Sequence, residues 1–276
     1  MSIALRPLTT GQLLDRAFQT YRQHFMLFAG IAAVPQVCLL VLQLFLLVAV
    51  AGTRPNRLLL GLLGFVVAVG SMVIFVVVSA ITTAATTFGV SDAYLDKPGS
   101  ISACCARVRG KIGRVIYTSI GLGLRVGVGL ILLIVPGIYW GGKYGLAVPA
   151  VVLEEIKAKQ AFKRSAELTK GAVGRIITIY FLTWILVLII SAGVGAVLAM
   201  VAPSLTRTAG TMTASVVQQL LSAAVNTVVT PIMAIALTLA YYDQRVRKEA
   251  FDIENMLSLL GEPAAATAVD GTKATS

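Results

Sequence analysis

Charge, and acid above all, is what this chain has least of. Only 13% of its 276 residues are charged, with 12 acidic against 23 basic. It has one histidine, His24, and three cysteines, Cys38, Cys104 and Cys105, whose spacing matches no metal motif. Metal-assisted hydrolysis needs His, Asp and Glu ligands around an open site, and these acids are scattered at the edges of apolar stretches. There is also no nucleophile–base pair, no acidic relay and no ion-coordinating cluster, so neither an enzyme nor a cofactor is expected. The basic residues form no aromatic-interleaved domain, which argues against a nucleic-acid partner despite a net charge of +11.

Apolar sequence is what remains. The hydrophobic fraction is 57%, and six stretches are long enough, or nearly so, to cross a bilayer core of roughly 30 Å at 1.5 Å per residue. They cover about residues 25–52, 58–95, 112–135, 138–153, 176–202 and 213–241. The second is too long for one straight crossing and emerges near Asp92, or tilts. The fourth is short and contains Lys143. Its alternative is a re-entrant hairpin with the third. The expected fold is all-α: a polytopic membrane protein with six transmembrane helices arranged as three hairpins.

The positive charge lies on one side of these stretches. With the N-terminus inside, 18 of the 23 basic residues fall on cytoplasmic segments, and only Arg54, Arg57 and Arg207 lie outside. Positive residues favour the cytoplasmic side, so both termini are expected there. Such charge also attracts anionic headgroups, at about 1 kcal/mol per residue, making membrane lipids the expected partners. No cleavable signal is visible, and the first apolar stretch reads as an uncleaved anchor in a cytoplasmic membrane. Cys104 and Cys105 fall on the cytoplasmic side, where thiols usually stay reduced. Adjacent cysteines near a membrane are also acylation candidates.

The chain reads as one unit used three times: a cytoplasmic amphipathic helix, a span out, a turn and a span back. The units begin near Thr9, Ser100 and Lys157. GKIGRVI at 110–116 and GAVGRII at 171–177 match 61 residues apart. Thr9 with Gln12 forms a capping box, and Leu8 with Leu13 takes the staple positions. The stripe Leu14, Phe18, Tyr21 and Phe25 marks an interfacial helix over 9–24. A second such helix is expected over 244–260, with Val246, Ala250, Ile253, Leu257 and Leu260 on one face. Outer turns are expected at 53–57, 136–142 and 203–212. Residues 261–276 read as a disordered tail.

Four segments carry a resemblance. LRPLTTGQLLDRAFQTYRQHF at 5–25, VPAVVLEE at 148–155, RSAELTKG at 164–171 and YYDQRVRKEAFDIE at 241–254 resemble, in order and spacing, the glycerophosphoryl diester phosphodiesterase membrane-domain family. The resemblance implies a six-span bacterial cytoplasmic-membrane domain. Some relatives fuse it to a catalytic barrel of roughly 250 residues, for which this chain has no room beyond its spans. Phosphodiesterase activity is therefore not carried over.

Arg125 stands out most. It lies 11 residues past Arg114, about 16 Å along a helix, so it falls near mid-bilayer, where Arg costs about 2.5–3.5 kcal/mol on insertion scales. No acid lies at that depth, leaving Gln43, Asn226, Gln218, backbone carbonyls, water or an anionic ligand as its compensation. Lys143, placed nearer the outer interface, can snorkel outward. Gly121, Gly123, Gly127 and Gly129 surround Arg125. The pairs Gly123/Gly127 and Gly141/Gly145 read as close helix packing, or as a groove admitting a lipid chain beside Arg125. Pro35, Pro149 and Pro231 interrupt spans. Two functions fit: a non-catalytic protein that binds or moves a lipid or other amphipathic anion, and a scaffold or accessory subunit for other membrane proteins. The topology has a direct check. In intact cells and a background lacking native cysteines, Thr208→Cys should react with a membrane-impermeant maleimide and Thr272→Cys should not.

Overall fold

A computed structural model describes residues 9–51, 57–94 and 100–260 of the protein. Among these it forms nine helices and no strand: α1 (Thr10–Gln23), α2 (Phe25–Ala51), α3 (Arg57–Tyr94), α4 (Ile101–Arg109), α5 (Ile112–Leu132), α6 (Ile134–Tyr144), α7 (Ala147–Leu153), α8 (Ala158–Thr169) and α9 (Val173–Leu260). The turn expected at 53–57 lies largely outside the described residues, as do Leu8 and the tail at 261–276.

Among the described residues, five helical segments are long and apolar enough to cross a membrane: Phe25–Phe45, Gly64–Ala93, Ile112–Leu132, Val173–Ser204 and Gly210–Glu249. The protein is an all-α membrane protein by these features. Large apolar side chains such as Met26, Ile131 and Met200 stand exposed along the segments, as suits helices whose solvent is hydrocarbon and whose backbone bonds are satisfied internally. The last two segments are limbs of α9, separated at Gly210. There φ is 84° and ψ is 163°, a conformation only glycine adopts readily. The helix expected over 244–260 continues α9 to Leu260 without a break.

The stretch 138–153 departs from the expected fourth span. It belongs to two short helices, α6 and α7, neither of which is long enough to cross. The turn before it lies at Leu133, in extended conformation, and not at 136–142. Pro136 explains the shift: it sits in the first turn of α6, where a missing N–H costs nothing. Helix α6 then returns along α5. Gly129 faces Gly137, Gly141 lies beside Val126, and beyond α7 the chain regains the start of α5, where Lys111 Nζ lies 2.6 Å from Glu155 Oε1.

The α6–α7 break follows from Pro149. Proline has no N–H to offer the carbonyl four residues back, which is that of Gly145. The buried carbonyls find side-chain donors instead. Tyr180 Oη lies 3.3 Å from the Gly145 carbonyl oxygen, and Ser165 Oγ donates to that of Lys143 at 2.9 Å. Thr169 Oγ1 stands 3.0 Å from the same Lys143 oxygen. Ser165 and Thr169 are fully buried, so α8 is held against the break by the backbone groups that the break exposes.

Helix α1 has the expected capping box, with Gln12 N–H donating to Thr9 Oγ1 at 3.3 Å and Thr9 N–H to Gln12 Oε1 at 3.0 Å. It packs onto α9, burying Leu13, Ala17 and Tyr21. The Tyr21 hydroxyl donates to the Val228 carbonyl at 2.7 Å, just before Pro231. Helix α1 thus covers part of the bundle.

Helices α5 and α6 meet closely where Gly129 faces Gly137. A Cβ on Gly129 would lie 2.7 Å from the Gly137 Cα, whereas nothing lies within 4 Å of one built on Gly123 or Gly127. Overpacking typically costs about 1–3 kcal/mol, and a backbone atom cannot yield as a side chain does. Gly129→Ala should therefore lower the thermal midpoint in detergent by several degrees, while Gly123→Ala should leave it unchanged or raise it.

Candidate functional site

A cavity of about 780 Å³ lies between α3, the α5–α6–α7 hairpin and both limbs of α9. Its volume falls within the range of small-molecule sites, about 300–1,000 Å³. One wall is made of small residues: Gly123, Gly137, Gly141, Gly142 and Gly145. Ala80, Met233, Ala234 and Leu237 line it as well, and Ile177 packs directly on Gly142. Phe75, Ile138, Phe181 and Trp184 line it too, and all four are exposed. They lie on the face that lipid would cover, so the cavity opens sideways.

Its hydroxyls are largely committed elsewhere. Ser79 donates to Phe75 O at 2.7 Å and Thr83 to Ser79 O at 2.8 Å, both within their own helix. Tyr180 is turned to the Gly145 carbonyl. What remains on offer is apolar surface, which selects for an apolar chain over a polar headgroup.

Arg125 does not line this cavity. It is exposed on the other flank of α5, its side chain turned back toward the start of the helix. Nη1 donates to the Gly121 carbonyl at 2.8 Å. The guanidinium carbon lies 4.1 Å from the centre of the Phe162 ring and 5.8 Å from that of Tyr144. These two rings meet edge-on at 5.7 Å. Lys143 comes to the same place, with Nζ 5.4 Å from the Tyr144 ring centre and 6.0 Å from that of Tyr139. Among the described residues neither cation forms an ion pair.

With the turn at Leu133, Lys143 is ten residues along the returning limb, about 15 Å by the helical rise, and its carbonyl already touches α8. Asn226 and Gln43 are exposed residues on α9 and α2, and neither is among the partners of Arg125. The structure therefore brings Arg125 and Lys143 together, leaves Asn226 and Gln43 apart from them, and divides the glycines. Gly123, Gly141 and Gly145 line the cavity. Gly121 lies under Arg125 and Phe162, and Gly129 meets Gly137. Gly127 has open space.

Phe162, Tyr144 and Tyr180 complete both sites, yet nothing in the sequence singled them out. The usable signal was Pro149, which frees the carbonyl of Gly145 and so calls for a nearby donor.

Ion pairs tie the opposite end of the hairpin to α9. Arg164 bridges Glu154 at 2.9 Å and Glu249 at 2.7 Å. Asp243 takes Arg175 at 2.8 Å and Arg247 at 3.0 Å. Tyr241 Oη donates to Glu154 at 2.6 Å. Glu155 has a φ of 58°, uncommon outside glycine, and is held by Lys111 and by Arg114, which donates to its carbonyl at 2.7 Å. The hydrogen bond and charge of Lys111 lower the Glu155 carboxyl below its ordinary value. The Arg175–Asp243 pair is largely buried, with side-chain exposures of 18% and 2%, so breaking it costs more than the about 0–1 kcal/mol of an exposed pair.

Asp92, where the long second stretch was expected to emerge, is buried and receives Arg107 at 2.9 Å. Cys104 Sγ lies 3.9 Å from the same carboxylate. No family model matches the chain, nor does any curated protein or solved structure.

Burial first, and then the charge of Asp92, push the Cys104 thiol from an ordinary 9.0 up to about 11. At pH 8 maleimide should modify Cys104 far more slowly than half-buried Cys105, with the rates read by peptide mass mapping. The folded state keeps the Cys104 proton to higher pH than the unfolded chain does, so stability should fall as pH rises from 9.0 through about 11. Cys104→Ala should flatten that slope.

Proposed function

We propose that this protein binds the apolar chain of a membrane lipid in the lateral cavity, as a non-catalytic lipid-handling protein of the bacterial cytoplasmic membrane. The observation that supports this most is the cavity itself: about 780 Å³, walled by glycines and apolar side chains, with exposed aromatic residues at its mouth. A chain that leaves the bilayer for a cavity trades one apolar solvent for another, so selectivity comes from shape and contact. Gly123 and Gly141 give a chain close access to the backbone, whereas Leu130, Ile177 and Tyr180 already cover Gly137, Gly142 and Gly145.

The non-catalytic reading rests on the sequence, with its single histidine and dispersed acids. The resemblance of four segments to the glycerophosphoryl diester phosphodiesterase membrane-domain family is consistent with a lipid-related role. In this reading α6 and α7 together form the returning limb of a third pair, six limbs in all, with both termini cytoplasmic. The return of Glu155 to Lys111 and Arg114 and the one-sided distribution of basic residues support that course.

Gly123→Leu provides the test, because Gly123 lines the cavity and has free space for a side chain. The variant should fold as the wild type does while filling the site. Binding of a fluorescent polyene fatty-acyl probe to the purified protein should weaken by roughly tenfold, a change of about 1.4 kcal/mol. Unchanged probe binding would remove the lipid-chain reading in favour of a scaffold or accessory subunit with membrane-protein partners.

A further inference from the structure

The cavity leaves two cations unexplained. Arg125 and Lys143 converge on one aromatic ring, Tyr144, with no carboxylate paired to either among the described residues. Two like charges beside one ring repel each other at low dielectric. An intramembrane charge usually has a partner that offsets its burial. Arg125 commits one donor to the Gly121 carbonyl, while a guanidinium carries five. Phe162 supports its face at 4.1 Å, which fixes the plane in which the other donors point. Lys159, exposed on α8, stands one turn before Phe162 on the same side of that helix.

We infer that Arg125 and Lys143 form a binding site for a phosphate oxyanion, with Arg125 as the planar donor and Lys143 as the second charge. The site lies on the α8 flank of the α5–α6 hairpin and is separate from the apolar cavity. Guanidinium presents parallel donors that match a phosphate's oxygens, and a lysine adds a point charge beside them. The exposed edge of α5 carries Tyr117, Leu124 and Val128 around Arg125, an apolar surface suited to the chains of a lipid whose headgroup phosphate occupies the site. The basic residues near the hairpin's other end, Lys111 and Arg114, are already engaged by Glu155.

The test uses the full chain purified in a zwitterionic detergent and titrated with phosphatidylglycerol or phosphatidylcholine under native mass spectrometry. The wild type should prefer phosphatidylglycerol by at least roughly tenfold. Arg125→Gln combined with Lys143→Gln should abolish the preference, and Arg125→Lys alone should weaken it, because an ammonium cannot present parallel donors. Gly123→Leu should leave it intact, so this site can fail without the cavity reading failing, and the reverse. Inorganic phosphate at millimolar concentration identifies the source of the oxyanion. Displacement of the lipid by phosphate means that the free anion suffices, and its failure to displace means that the lipid-borne phosphate is required. Equal binding of the two lipids by the wild type would overturn the proposal. So would an unchanged preference in the double variant, or in Lys143→Gln alone should the double variant not fold.

Discussion

Buried carbonyls without backbone donors organise this protein. A helix within hydrocarbon must satisfy its own polar groups, because no water is there to do it. Pro149 prevents α6 and α7 from doing so, and each buried group left without a partner costs about 1–3 kcal/mol. Ser165, Thr169 and Tyr180 stand at the exposed carbonyls of Lys143 and Gly145. To deliver those hydroxyls, α8 and the first limb of α9 must pack against the break. From that packing come the position of Phe162 under Arg125 and the glycine wall of the cavity. One proline thus fixes where two candidate sites lie.

The two flanks of the hairpin divide the chemistry between them. On one side Gly123, Gly141 and Gly145 line a space that offers little but apolar contact. On the other, Gly121 lets Phe162 approach so closely that the ring and the guanidinium of Arg125 share the room a methyl would need. A helix with glycine at both 121 and 123 presents bare backbone in two directions at once. The sequence reading joined the groove to Arg125 because both lie in one run of glycines. The helical turn of 100° per residue separates them.

What the sequence made legible was what depends on composition and local pattern. The long apolar stretches, the capping box at Thr9 and the anomaly at Arg125 all rest on residues near one another in the chain. The turn expected at 136–142 lies instead at Leu133, because the missing N–H of Pro136 suits the first turn of a helix. The cavity was out of reach, since α3, α5, α6 and both limbs of α9 wall it and no local signal reports how distant helices meet. Val126 and Ile177 read identically as span residues, yet both line the cavity.

Two polar grips bound the part of α9's second limb that lines the cavity. Near its middle, Tyr21 grips the carbonyl of Val228. Further on, Tyr241, Asp243 and Glu249 are bound to α7, α8 and the first limb. Between the two grips lie Met233, Ala234 and Leu237, which form one wall of the cavity. Mechanically this wall is a beam clamped at both ends and pinned between them, where Thr238 Oγ1 lies 3.3 Å from Thr87 Oγ1 on α3, with Pro231 as its weak point. Such a beam bows little under a lateral load, so the width of the cavity is set by its supports. Any widening along that wall begins with the release of a clamp.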